Sequence, residues 1–165
     1  MTGPAGDQRA SASLLDRLTD DRPDQLHDRP QSAAESVSRL RDSVQRDVEA
    51  LLNARRPWRS VPGAWPLLRT SPLHYGIADF TAGAFNDPGE REVLRVDIEE
   101  AVRRFEPRLT QVEVQFGETV SPLRATLSLR IDALLLMDPQ PQAISFDTLI
   151  DTTTADVSLR RVQRT

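Results

Sequence analysis

The chain has 165 residues and a net charge of −4, with 38% hydrophobic residues and no cysteine. This length fits one compact domain, and the lack of cysteine excludes disulfides, thiolate metal sites and cysteine nucleophiles. All 21 basic residues are arginine, yet they are interspersed with 25 acidic residues, which argues against a dedicated nucleic-acid surface.

The sequence predicts neither a membrane-spanning segment nor a histidine-rich metal site. No apolar run approaches the roughly 20 residues that cross a bilayer, and the N-terminus lacks the apolar stretch of a secretory signal. The two histidines, His27 and His74, are too far apart in sequence to suggest a histidine-rich metal site. We therefore expect a cytoplasmic protein with no direct membrane insertion and no cofactor.

Residues 1–31 are mostly small and polar, with several aspartates and prolines. They predict a flexible N-terminal segment that carries one short apolar tether, formed by Leu14, Leu15 and Leu18. Two interpretations of this cluster remain open. It either folds back onto the domain or binds a groove on a partner.

The first helix is predicted to begin after Ser32, which has capping-box spacing to Glu35. Apolar residues then recur at helical spacing, at Val37, Leu40, Val44, Val48 and Leu51. The charged residues of this stretch, Asp47 among them, fall mostly away from that stripe. The helix should end before Pro57.

A connection rich in proline and glycine follows, over residues 57–89. Its length indicates a functional surface or short helical turns, and we expect its tryptophans, Trp58 and Trp65, to hold it against the core. A second helix is predicted from Asp87, with Pro88 at the first helical position and Pro107 beyond its end. Along it, the pairs Glu99–Arg103 and Glu100–Arg104 indicate a solvated face.

Beyond the second helix the hydrophobic period changes from helical to alternating. Val112 and Val114 begin the alternation, and a long strand is predicted over residues 123–136. The sequence therefore predicts an α+β fold, in which N-terminal helices pack on a mostly antiparallel sheet of three to four C-terminal strands. Residues 32–165 should form this single domain.

Four segments, taken together and in order, resemble the TssE family of type VI secretion baseplate proteins, which is related to the baseplate wedge protein of contractile-tailed phages. They are residues 13–18 (SLLDRL), the helical run 35–56, residues 71–80 (SPLHYGIADF) and residues 105–109 (FEPRL). The likeness covers residues 13–160, nearly the whole chain. Each motif is weak by itself, and their order and spacing carry the resemblance.

The resemblance implies a non-enzymatic subunit of the baseplate wedge, alongside TssF, TssG and TssK. It also implies that the chain joins the wedge to the first ring of the sheath proteins TssB and TssC, with β-strand exchange at a sheet edge. Glu106, Pro107 and Arg108 match the family's functional motif and are the expected partner-binding residues. The alternative is that Glu106 and Arg108 only close the helix–strand junction within the monomer.

A lysozyme-like peptidoglycan hydrolase that uses Glu106 is the main rival function. Such an enzyme needs two carboxylates about 5–9.5 Å apart, one of them with a raised pKa. The neighbouring Arg108 would instead lower the pKa of Glu106. Asp147 and Asp151 lie four positions apart on one predicted strand, roughly 13 Å, which is too far. A third possible function, an RNA-binding module, has even less support, because acidic residues outnumber basic ones.

Overall fold

A computed structural model describes residues 18, 32–56, 64–80, 87–117, 126–138, 140–151, 154 and 156–162. Helix α1 is Ala33–Asn53, helix α2 is Pro88–Phe105, and the strands are β1 Leu109–Phe116, β2 Thr126–Leu135, β3 Gln142–Asp151 and β4 Val157–Arg161. The strands form one antiparallel sheet in the order β1-β2-β3-β4. The predicted α+β fold is confirmed. The predicted flexible segment, residues 1–31, lies outside the described residues except for Leu18.

Helix α1 begins at the predicted capping box. The backbone N–H of Glu35 donates to Ser32 Oγ over 3.2 Å, and the backbone N–H of Ser32 donates to the Glu35 carboxylate over 2.8 Å. The face turned to the sheet buries Leu40, Ser43, Val44, Val48, Leu51 and Leu52. The apolar stripe read from the sequence therefore is the packing face of this helix.

The connection between the helices contains two short 3-10 helices, η1 at Pro66–Thr70 and η2 at Pro72–His74. This agrees with the predicted helical turns. The expected role of the tryptophans is wrong for Trp65, whose side chain is 61% exposed, and Trp58 lies outside the described residues. Instead, the fully buried Ile77 and the nearly buried Phe80 fix the connection to the core.

Both helices cover one face of the sheet, where the inward side chains of β2 and β3 form the centre of the core. These are Leu127, Leu129, Ile131, Ala133 and Leu135 of β2, and Ile144, Phe146, Thr148 and Ile150 of β3. Strand β1 departs from simple alternation because its register shifts between Thr110 and Glu113, where Gln111 has a φ of 51°. This bulge keeps Leu109 and Val112 both on the buried face.

Candidate functional site

The corner between α2 and β1 is formed by Glu106, Pro107 and Arg108. The N–H of Glu106 still donates to the carbonyl of Val102 over 2.9 Å, as the last helical bond, while its own carbonyl accepts from the N–H of Leu109 over 3.0 Å. Pro107 has no backbone N–H to donate to the helix, so the helix ends and the chain turns here into the first strand. The corner is thus a short turn with fixed backbone at both ends.

Glu106 and Arg108 bind each other through two parallel hydrogen bonds. Arg108 Nε donates to Glu106 Oε1 over 2.6 Å, and Arg108 Nη2 donates to Glu106 Oε2 over 2.5 Å. Glu106 is only 4% exposed. The two bonds therefore satisfy both of its carboxylate oxygens inside the protein. These bonds raise the pKa of Arg108 further above its ordinary value, since they stabilise the charged guanidinium.

The same guanidinium also reaches helix α1. Arg108 Nη2 donates to Asp47 Oδ2 over 2.6 Å, and Arg108 Nη1 donates to Ser43 Oγ over 3.2 Å. Ser43 is buried, and the side chain of Asp47 is 39% exposed. Arg108 therefore joins the corner to the middle of a helix that lies 61 positions earlier in the sequence.

The connecting loop approaches this cluster at Tyr75. The Tyr75 ring stands edge-on to Phe105, with 5.3 Å between the ring centroids. Burial, followed by the charges of Asp47 and Glu106, raises the pKa of the Tyr75 phenol above its ordinary value. The segments 35–56, 71–80 and 105–109, which are separate in sequence, therefore come together at one place.

Position 76 requires glycine because of its backbone conformation and a close backbone neighbour. Its φ is 100°, and a Cβ built on it would lie 2.4 Å from the carbonyl oxygen of Ala54. The close approach lets the N–H of Ile77 donate to Ala54 O over 3.1 Å, and the N–H of Arg56 donate to Ile77 O over 2.9 Å. The loop is thereby pinned to the end of α1.

A second polar cluster ties the loop to α2. Arg56 Nη2 donates to Asp97 Oδ1 over 2.7 Å, and the N–H of Ala78 donates to Asp97 Oδ2 over 2.8 Å. Arg56 Nη1 lies 3.3 Å from His74 Nε2. Burial, followed by the charge of Arg56, lowers the pKa of His74 below its ordinary value.

The predicted site residues differ in how far they are exposed to solvent. Glu106 points inward, Pro107 is exposed, and the side chain of Arg108 is 23% exposed. Glu106 and Arg108 pair with each other within the monomer, as the internal alternative requires, and a role of the corner in partner binding stays a prediction. Leu14 and Leu15 lie outside the described residues, and Leu18 is 75% exposed.

Sequence reasoning missed Ser43 and Asp47 as members of the site. By helical spacing Asp47 belongs to the charged residues that lie mostly away from the apolar stripe, and Ser43 carries no chemical signal in the sequence. Only their positions next to Val44 and Val48 of the stripe indicated that they lie near the packing face of α1. Their partner, Arg108, could not be inferred from helical spacing.

The two carboxylates at this corner share one guanidinium group. Asp47 and Glu106 both accept from Arg108 Nη2, so their carboxylates are no farther apart than two hydrogen bonds allow. A retaining glycosidase holds its two carboxyl groups about 5–5.5 Å apart, with the sugar between them. Here, however, a guanidinium occupies the space between the two carboxylates, where a sugar would have to bind.

Within the described part of the chain, no group of three or more histidine, cysteine, aspartate or glutamate side chains is placed to hold a metal ion. The described helices include none that is both long and apolar enough to span a bilayer.

The family model described as "Baseplate wedge protein gp25" matches residues 38–140, from the first turns of α1 to the turn before β3. No curated protein matches the sequence. The matched region is more than half of the chain and contains Ser43, Asp47, Tyr75, Glu106 and Arg108. The chain therefore belongs to the family of baseplate wedge protein gp25.

Proposed function

We propose that this protein is a structural baseplate subunit of a type VI secretion machine, which joins the wedge complex to the first ring of the contractile sheath. The family match over residues 38–140 is the observation that carries the proposal. The partners we propose are TssF, TssG and TssK in the wedge and TssB and TssC in the sheath. The compartment we propose is the cytoplasm.

The geometry of the corner supports a role in binding partner proteins. Arg108 holds Glu106 on one side and Asp47 on the other, which fixes α1, α2 and the start of β1 relative to one another. Pro107 is exposed at the tip of this corner, and part of the Arg108 side chain reaches the surface. We propose that Pro107 and Arg108 contact a partner, while Glu106 acts from beneath by holding the guanidinium in place.

We further propose that the protein is not an enzyme. A glycoside hydrolase needs a protonated carboxyl that faces its substrate. The Glu106 carboxylate is 4% exposed and accepts charge-assisted hydrogen bonds on both oxygens. A carboxyl in this position has neither access to a glycan nor a free oxygen with which to protonate one.

Reconstitution tests the proposal directly. Purified protein is mixed with TssF, TssG and TssK, and complex formation is measured by size-exclusion chromatography with light scattering. The complex is then offered to TssB and TssC, and sheath assembly is followed by electron microscopy. We expect the wedge to include this protein, and sheath assembly to start from wedges that contain it more often than from wedges without it. Absence from the wedge would refute the proposed function.

The rival function is tested with purified bacterial cell walls. We expect no loss of turbidity with the wild-type protein. Clearing that depends on the Glu106 carboxyl, present in the wild type and lost in Glu106→Gln, would establish the hydrolase instead.

A further inference from the structure

Strand β4 forms one edge of the sheet, and every second residue of it turns its backbone groups to the open side. The N–H of Val162, just beyond the strand, donates to Ser145 O on β3 over 3.0 Å. Neighbouring residues of an antiparallel strand direct their backbone groups to opposite sides. Val157, Leu159 and Arg161 each lie an odd number of positions before Val162, so their N–H and C=O groups point away from the sheet.

Asn53, at the C-terminal end of α1, binds both outward groups of Val157. Asn53 Nδ2 donates to Val157 O over 2.8 Å, and the N–H of Val157 donates to Asn53 Oδ1 over 2.9 Å. Paired residues of adjacent antiparallel strands exchange the same two bonds. Asn53 Nδ2 also donates to Glu49 O over 2.9 Å, which holds the amide in place. The side chain of Asn53 therefore supplies the hydrogen bonds that a neighbouring strand would make.

Two further residues of α1 bind the same edge. Gln45 Nε2 donates to Leu159 O over 3.1 Å, and Arg161 Nη1 donates to Asp42 Oδ1 over 2.7 Å. The spacing of Asp42, Gln45 and Asn53 follows helical steps of three and four positions, which keeps them on one side of α1. We call these three residues the edge cap. Together they follow β4 from one end to the other.

The opposite edge strand, β1, is protected in a different way. Its register shifts between Thr110 and Glu113, and Arg103 Nη2 of α2 donates to Val112 O within this bulge over 2.8 Å. Bulges and charged side chains hinder the addition of a strand to a sheet edge. Strand β4 pairs with β3 without a register shift, so its edge is regular. The edge cap is the feature that covers it.

We propose that the edge cap closes β4 against pairing with another strand, and so keeps the free protein from joining edge to edge with a second copy. A regular, uncovered edge is a template for another extended chain. A strand that approaches β4 has to break the bonds of Asn53 and Gln45, and its own bonds only replace them. Without the cap, the same backbone groups bind water and are open to the strand. This role is independent of the proposed function.

A second copy is the partner that the cap excludes, because β4 is complementary to itself. Two β4 strands can align antiparallel about a twofold axis. In that arrangement the outward groups of Val157 face those of Arg161 in the other copy, and Leu159 faces its own equivalent. These are the positions whose backbone or side chain the edge cap binds.

Size-exclusion chromatography with light scattering tests the proposal on the full chain. Gln45→Ala/Asn53→Ala removes both amides of the cap, and circular dichroism measures whether the variant is folded. We expect the wild type to stay monomeric from micromolar to millimolar concentration and the double variant to dimerise. Gln115→Ala is the matched control, because its amide donates to the side chain of Glu113, and it should stay monomeric. If the double variant does not fold, the two single variants are compared in the same way.

Amide hydrogen exchange, followed by nuclear magnetic resonance, locates the effect. Asn53→Ala should speed exchange of the Val157 N–H by about tenfold, since this N–H loses its acceptor. The N–H of Val162, which donates to Ser145 O, should keep its rate. In the double variant, exchange at Val157 and Leu159 should slow as the protein concentration rises, because the added strand accepts from both.

Three results would overturn the proposal. A folded double variant that stays monomeric at millimolar concentration would show that Gln45 and Asn53 only support the packing of α1. Dimerisation without slower exchange at Val157 and Leu159 would place the contact elsewhere on the molecule. Equal dimerisation of the wild type would show that the edge cap does not close β4.

Discussion

Arg108 binds Asp47 across 61 positions of sequence, through a 2.6 Å hydrogen bond between Nη2 and Oδ2. The same nitrogen binds the nearly buried carboxylate of Glu106 over 2.5 Å. One guanidinium therefore connects the corner of the fold to helix α1, and its loss leaves a buried carboxylate without its partner.

Arg108→Leu is expected to lower the free energy of unfolding by about 2–4 kcal/mol, because removing one member of a buried pair strands the other. The measurement is urea unfolding followed by circular dichroism. Arg104→Leu is the matched control, since the Arg104 side chain is 22% exposed and its 3.7 Å pair is with an exposed glutamate. It should change stability by less than about 1 kcal/mol. Equal losses in the two variants would contradict this account of the corner.

Gly76→Ala is expected to destabilise the protein by at least about 2 kcal/mol. The backbone at φ 100° disfavours any side chain, and the new Cβ would meet a backbone carbonyl that cannot move away cheaply. Thermal unfolding gives the comparison. Gly89→Ala is the control, because its Cβ would meet only the end of the Asp87 side chain, at 3.2 Å, within a helix. Alanine should leave stability unchanged there or raise it by up to about 1 kcal/mol. Tolerance of alanine at position 76 would refute the required backbone geometry.

Thr148→Val is expected to raise the free energy of unfolding by about 1 kcal/mol. Thr148 is fully buried on β3, and its hydroxyl has no hydrogen-bond partner among the described residues. Valine has nearly the same shape and removes the cost of burying that hydroxyl. Thr110→Val, where the hydroxyl donates to Leu134 O over 3.4 Å, should give no comparable gain. Destabilisation by Thr148→Val in urea unfolding would show that the hydroxyl is satisfied.

Stability should depend on pH through His74. Its folded-state pKa is lowered, so the unfolded chain takes up a proton that the folded chain does not. The free energy of unfolding should therefore rise with pH from the folded pKa of His74 to about 6.5, the ordinary value, and level off above it. The guanidinium of Arg56 can only donate, so His74 Nε2 must be unprotonated to accept from it.

The test of this pH dependence uses a His27→Ala background, which leaves His74 as the one histidine in the chain. Unfolding is measured at several pH values between about 5 and 8. His74→Gln should flatten the dependence in this range. A slope that survives the substitution would assign the effect to other groups.

Local signals in the sequence were sufficient for most of the elements. The capping box at Ser32 marks the start of α1, and the apolar spacing along α1 and β2 gives the faces that the structure buries. The pairs Glu99–Arg103 and Glu100–Arg104 are also present, since residues four apart on a helix are neighbours whatever the fold.

Features that depend on contacts between distant segments were not predictable. The bulge at Gln111 has no glycine to mark it, and it is set by the need to bury both Leu109 and Val112. The exposure of Trp65 contradicts the usual preference of tryptophan for burial. At the site, the motif gave Glu106 and Arg108, but their link to Asp47 arises only when α1 packs beside the corner.

We propose that the protein works by contact with other baseplate subunits through a corner that Glu106 and Arg108 keep fixed. The most direct test is its dissociation constant for a purified TssF–TssG complex, measured by biolayer interferometry at a temperature where all variants are folded. We compare Arg108→Leu with Arg104→Leu, and use Pro107→Ala as a second corner variant because Pro107 is exposed. We predict at least about tenfold weaker binding for both corner variants and little change for Arg104→Leu. Wild-type affinity in both folded corner variants would contradict the claim.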